Sequence, residues 1–145
     1  MKQALVEAQK AYDADEVPVG AVVVIGNKII ARAHNLTERL NDVTAHAEMQ
    51  AITAAANYLN GKYLSDCSLY VTLEPCVMCM GAIAHARVKR LVFGAIDEKR
   101  GAVCSVLHLA NADFLNHQIA WQGEVLAETC GNLLRDFFKA KRKRA

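Results

Sequence analysis

The chain has little of what would mark it as secreted, membrane-bound or modular. Two prolines in 145 residues, and no stretch of biased composition, leave no place for a linker, and no fixed period suggests an internal repeat. No run approaches the roughly 18 apolar residues of a membrane span. The opening Met1–Lys2–Gln3–Ala4–Leu5–Val6–Glu7 lacks the unbroken apolar core of a secretory signal. The cysteines number five, an odd count in a chain without such a signal. That argues against a disulfide framework and for a reducing compartment, where thiols serve metals or the core. The expectation is one cytoplasmic domain over residues 1–145, long enough to bury a single core.

Charge of neither sign dominates, but the net +2 hides an asymmetry. Lys139, Lys141, Arg142, Lys143 and Arg144 crowd the last seven residues, which leaves −3 on the remainder. A basic tail on a mildly acidic body suggests a polyanionic partner; a solvated helix end would read the same way.

Periodicity places the elements. Apolar residues at helical spacing predict a helix from Lys2 to about Ala14. Ala21–Ile25 and Lys28–Arg32 flank Gly26–Asn27, a two-residue hairpin turn. A polar segment from His34 to Thr44 leads into an alanine-rich helix from about Ala45 to Leu59, closed by Asn60–Gly61. Ser68–Leu73 reads as a strand, and Pro75 opens a helix from Cys76 to about Ala86. Then come a strand at Arg90–Gly94, a loop from Ala95 to Cys104, and a short helix or turn at Asp113–Asn116. A fifth strand at Gln118–Trp121 and an amphipathic helix from Glu124 to Lys141 complete the chain. Helices alternating with strands after an opening hairpin imply a three-layer α/β/α domain around a five-stranded mixed sheet.

The chemistry concentrates in His46–Ala47–Glu48 and Pro75–Cys76–Val77–Met78–Cys79. Cys76 and Cys79, three apart, share one helix face in the first turn, where the positive end of the helix dipole favours thiolate. His46 stands at another helix start. If the two helix N-termini converge, one imidazole and two thiolates suit Zn²⁺. A structural zinc site is closed by four protein ligands, whereas a catalytic one keeps a position for water. Zinc can lower the pKa of such a water to about 7, and Glu48 beside it can take and return the proton. Small residues on the two helices (Ala47, Ala51, Ala54 and Ala55; Gly81, Ala82 and Ala84) would permit close approach, although such residues fill many α/β cores. Alone, the C-x-x-C could be a redox pair and His46 a core residue. Cys67, Cys104 and Cys130 lack ligand spacing and read as buried thiols, and His34, His85, His108 and His117 as structural or surface groups.

The paired pattern H-x-E and P-C-x-x-C resembles the zinc nucleobase deaminases. Within that superfamily, Glu16–Val17–Pro18–Val19–Gly20–Ala21–Val22, Thr44 to Glu48, Leu69 to Cys79, Val92–Phe93–Gly94–Ala95, Asn116–His117 and Asp136–Phe137–Phe138 are similar to the bacterial tRNA-specific adenosine deaminases. The resemblance covers nearly the whole chain. It implies a homodimer with the cytidine-deaminase-like fold that converts adenosine to inosine at the wobble position of a tRNA anticodon. It implies His46, Cys76 and Cys79 as ligands of one Zn²⁺ per subunit and Glu48 as the proton shuttle. Asn35 matches the asparagine that hydrogen-bonds the purine, Asp97 a loop aspartate beside the anticodon, and Asn116 another RNA-contacting position. The basic tail becomes a phosphate contact, and Phe137–Phe138 a wall of the base pocket. Cys104 to Leu115 keeps the family's length but not its usual residues, which leaves RNA contacts there open. Two other readings share parts of the pattern: a deaminase of free guanine or cytosine, and a non-catalytic, zinc-stabilised RNA-binding module.

Overall fold

In the computed structural model, which describes residues 1–113, 115 and 117–145, five strands form one sheet flanked by four helices. In chain order these are α1 (Lys2–Asp13), β1 (Gly20–Ile25), β2 (Lys28–His34), α2 (Ala47–Leu59), β3 (Cys67–Leu73), α3 (Val77–His85), β4 (Arg90–Ala95), β5 (Ala120–Gln122) and α4 (Ala127–Arg144). The strand order is β2-β1-β3-β4-β5. β1 runs antiparallel to β2 and β3, while β3, β4 and β5 are parallel, so the sheet is mixed as expected.

The opening hairpin turns where Gly26 takes a left-handed backbone (φ 58°), pairing Ile25 with Lys28. Helices α1 and α4 pack together on one face of the sheet, and α2 and α3 on the other. On the α2/α3 face Ala21, Val23, Leu69, Val71, Leu91 and Phe93 meet Ala47, Ala51, Ala55, Met80 and Ile83 in the main core. On the opposite face α1 lies so close that a Cβ on Gly20 would come within 2.1 Å of the Ala4 carbonyl oxygen.

Several boundaries differ from the sequence expectation, each for a local reason. Helix α2 begins two residues late because His46 is extended (φ −73°, ψ 154°) and serves as N-cap. Helix α4 starts at Ala127 and not Glu124, since Glu124 and Leu126 take left-handed backbone angles and the Val125 amide bonds to the Phe93 carbonyl at 3.2 Å. It runs on to Arg144 because Lys141 and Arg144 pair with Asp15 at 3.2 and 3.0 Å. The fifth strand spans Ala120–Gln122 and not Gln118–Trp121, with Trp121 stacked on Phe93. A single 3-10 turn covers Leu109–Asn111, just before the turn expected at Asp113–Asn116, a stretch in which Phe114 and Asn116 lie outside the described residues. The small-residue seam is also narrower than expected. Ala47, Ala51 and Ala55 are buried, but Ala54 faces outward and a Cβ on Gly81 would touch nothing within 4 Å.

Candidate active site

The parallel half of the sheet delivers the site. Strand β3 ends at Leu73, and Glu74–Pro75 carry the chain to Cys76, whose extended backbone (φ −78°, ψ 177°) caps α3. His46 caps α2, which packs against α3, so the two helix starts converge. His46 Nδ1 lies 3.7 Å from Cys76 Sγ and 3.5 Å from Cys79 Sγ. One ligand atom from each of the three lies within 4.8 Å of the others.

The electrostatics follow from that crowding. Cys76 is held at about 3 by hydrogen bonds from the Cys79 thiol and from His46, against the opposing effect of burial. Cys79 is pushed up, chiefly by donating to Cys76 and by burial, and His46 is raised mainly by its bond to Cys76. One thiolate, one thiol and an imidazole within touching distance match the donors of a divalent ion, which would ionise the second thiol as well. The donor set therefore fits a metal. Among the described residues this cluster brings together three candidate ligands and no fourth. Glu48 is buried (4% exposed), and burial raises its carboxyl above the ordinary range.

A cleft of about 1060 Å³ opens over the cluster, lined by His46, Glu48 and Cys76 together with Asn35 and Asp97. Asn35 is buried, and its side-chain oxygen accepts the Ala47 amide at 2.8 Å, which fixes the carboxamide at the start of α2. Asp97 lines the cleft, and its Oδ1 accepts the amides of Lys99 and Arg100 at 3.0 and 3.1 Å and so shapes its own loop. Asn116, the third expected RNA contact, lies outside the described residues. The aromatic pair divides. Phe138 lines the cleft, whereas Phe137 is buried against Tyr12, with ring centroids 5.6 Å apart. Cys67 and Cys130 are buried thiols as expected, and Cys104 is half-buried.

Sequence reasoning missed several groups around the cleft. Lys99 and Arg100 line it from the loop after β4, and Leu134 and Arg135 from α4. It also gave no role to two buried glutamates, Glu16 and Glu74, 1% and 2% exposed. Both stand in segments that carried the family resemblance, but their partners are mostly backbone amides, which leave little side-chain pattern to read.

A buried carboxylate beside a His-Cys-Cys cluster, at the ends of parallel strands, is the arrangement of the zinc-type deaminases. The chain belongs to the MafB19-like deaminase family, whose sequence model matches residues 1–142. Within that class the similarity is to tRNA-specific adenosine deaminases. The one from Aquifex aeolicus is 48% identical over 142 residues, covering 98% of this chain and 93% of the relative. The one from Bacillus subtilis is 47% identical over 144 residues, covering 99% and 89%. A solved structure from a study of A-to-I editing by tRNA:A34 deaminases superposes with a TM-score of 0.90 at 44% identity, over 92% of this chain and 97% of that one. A guanine deaminase from Bacillus subtilis is more distant, with a TM-score of 0.64 and 32% identity over 99% of this chain and 92% of that one.

Proposed function

We propose that the protein is a hydrolytic deaminase converting adenosine to inosine at the wobble position of a tRNA anticodon. In this reading His46, Cys76 and Cys79 hold one Zn²⁺ per subunit, and one domain over residues 1–145 carries the whole activity as a homodimer in the cytoplasm. Among the described residues no helix is long and apolar enough to cross a membrane. The ion's contribution when bound is Lewis acidity, which makes water nucleophilic near neutral pH.

The chain's own residues supply the rest. Glu48, whose buried carboxyl keeps a proton readily, accepts one from the attacking water and returns it to the purine ring and to the departing amine at C6. The net change is adenosine plus water to inosine plus ammonia. Asn35, held by the Ala47 amide through its oxygen, has its amide N–H groups left to donate to the base. Phe138 provides an aromatic wall for a nucleotide splayed out of its stack.

The observation that favours RNA over a free base is the charge lining the cleft. Lys99 and Arg100 stand on the loop after β4, and Arg135, Lys139 and Arg142, at helical spacing, on one face of α4. A neutral purine has no use for five cations; an anticodon loop presents a phosphate at every nucleotide. The test is incubation with anticodon stem-loops carrying A at the wobble position, scored for inosine, with free guanine and cytosine run in parallel. Inosine in the stem-loop and little ammonia from the free bases is the expected result. Turnover of guanine or cytosine alone would replace the substrate, and no turnover of any of them would leave an RNA-binding module.

A further inference from the structure

Two loops wall the cleft, and each is folded around a buried glutamate with no ion-pair partner among the described residues. Glu74 Oε1 accepts the Asp97 amide at 3.2 Å and the Ser105 hydroxyl at 2.5 Å. Its Oε2 accepts the amides of Val103, Cys104 and Ser105 at 3.1, 3.0 and 3.2 Å. Gly101 completes the wrap, because a Cβ there would come within 2.3 Å of Glu74 Oε1. Glu16 treats the other wall in the same way. Its Oε2 accepts the Arg39 amide at 2.8 Å, and its Oε1 accepts the Glu38 amide at 3.0 Å and the Thr37 hydroxyl at 3.4 Å. The first loop presents Asp97, Lys99 and Arg100 to the cleft, and the second presents Thr37 between Asn35 and His46.

We infer that Glu74 and Glu16 are positioning residues for the substrate: each sets the distance of one cleft wall from the RNA and touches neither the reacting atoms nor the metal. The inference rests on the RNA reading above. Glutamine is the informative replacement at position 74. Both carboxylate oxygens there accept backbone amides, so either orientation of a glutamine amide puts its N–H groups against at least one main-chain N–H, even where the Ser105 hydroxyl turns to accept. The 97–105 loop must then move, while none of the bonds lost is one made by the side chains of His46, Cys76 or Cys79.

The experiment is steady-state deamination of a wobble-A anticodon stem-loop by wild type, Glu74→Gln, Glu16→Gln, Ser105→Ala and Gly101→Ala, with zinc content measured on each preparation. Glu74→Gln and Glu16→Gln are expected to raise KM by about tenfold, the low end of the scale for one lost hydrogen bond to a charged group, with kcat within about twofold and one zinc per chain. Ser105→Ala, which removes the hydroxyl's contacts with Glu74 and with the Asp97 carbonyl but leaves the four amide bonds to Glu74 in place, is the mildest change and is expected to raise KM by about threefold in the same pattern. Gly101→Ala displaces the loop sterically with the carboxylate intact and is expected to reproduce the rise. A variant set that loses kcat and zinc together would make the glutamates scaffolding for the metal helix and overturn the inference. Unchanged KM across the set would overturn it too. A wild type that yields no inosine removes the substrate reading and this inference with it, an outcome distinct from either.

Discussion

Glu48 illustrates how much the surroundings of one side chain decide. A surface carboxylate would be ionised and idle at neutral pH; at 4% exposure beside His46 and the two sulfurs it is poised to exchange a proton. Glu48→Ala is therefore expected to retain zinc and to lose turnover by at least 10²- to 10⁴-fold, the usual contribution of a positioned acid–base group. Substantial residual deamination in the zinc-loaded variant would remove Glu48 from its assigned role. A different carboxylate sets an acid limit on stability. Glu7 is buried, which alone would raise its carboxyl, but Lys10 at 2.8 Å and His34 at 3.4 Å outweigh that and leave it below the ordinary carboxylate range. A carboxyl depressed on folding stabilises the protein above its unfolded pKa, and the effect is lost as pH falls through the folded one. Urea midpoints of wild type and Glu7→Gln, compared between about pH 3 and 6, should differ most at the top of that range and converge towards the bottom. A constant gap would exclude the linkage.

Among the elements, α4 divides its basic residues between two tasks. Arg135, Lys139 and Arg142 line the cleft, while Lys141 and Arg144 reach Asp15 just beyond α1. Replacing any of the first three by alanine is expected to weaken stem-loop binding and to flatten its salt dependence by about 0.7 in log–log slope, the release expected per phosphate on a single strand. Lys141→Ala and Arg144→Ala should leave that slope unchanged and lower thermal stability only slightly, as exposed ion pairs do. Equal slopes for both groups would contradict the division. The tail as read in the sequence was one undivided basic run, because the split depends on which helix face meets Asp15, a residue more than a hundred positions away. The candidate metal ligands were legible for the opposite reason. Cys76 and Cys79 are neighbours on one turn, and His46 is tied to them by the chemistry all three share. The hairpin followed from a local turn signal, whereas the late start of α4 hangs on left-handed residues at Glu124 and Leu126 that are not glycine or asparagine.

For the molecule as a whole, metal and fold are expected to be linked. The cluster joins the N-termini of α2 and α3, so an ion bound only by the folded chain should stabilise it by about 1.4 kcal/mol per tenfold rise in free zinc above the dissociation constant. Chelation should lower the melting temperature and added zinc restore it; a melting temperature indifferent to both would refute a tightly held ion. With five cations lining the cleft, affinity for the stem-loop should fall about a hundredfold between 50 and 200 mM salt, whereas that for a neutral base should barely move. The glutamate-centred walls bear on inheritance as well as on binding. Glu74 grips mostly main-chain N–H groups, which every residue but proline owns, so the identities of the residues it holds are largely unconstrained by that grip. Lineages can thus retune what the rim recognises by ordinary drift, leaving the reaction beneath untouched, provided no proline lands at 97, 103, 104 or 105.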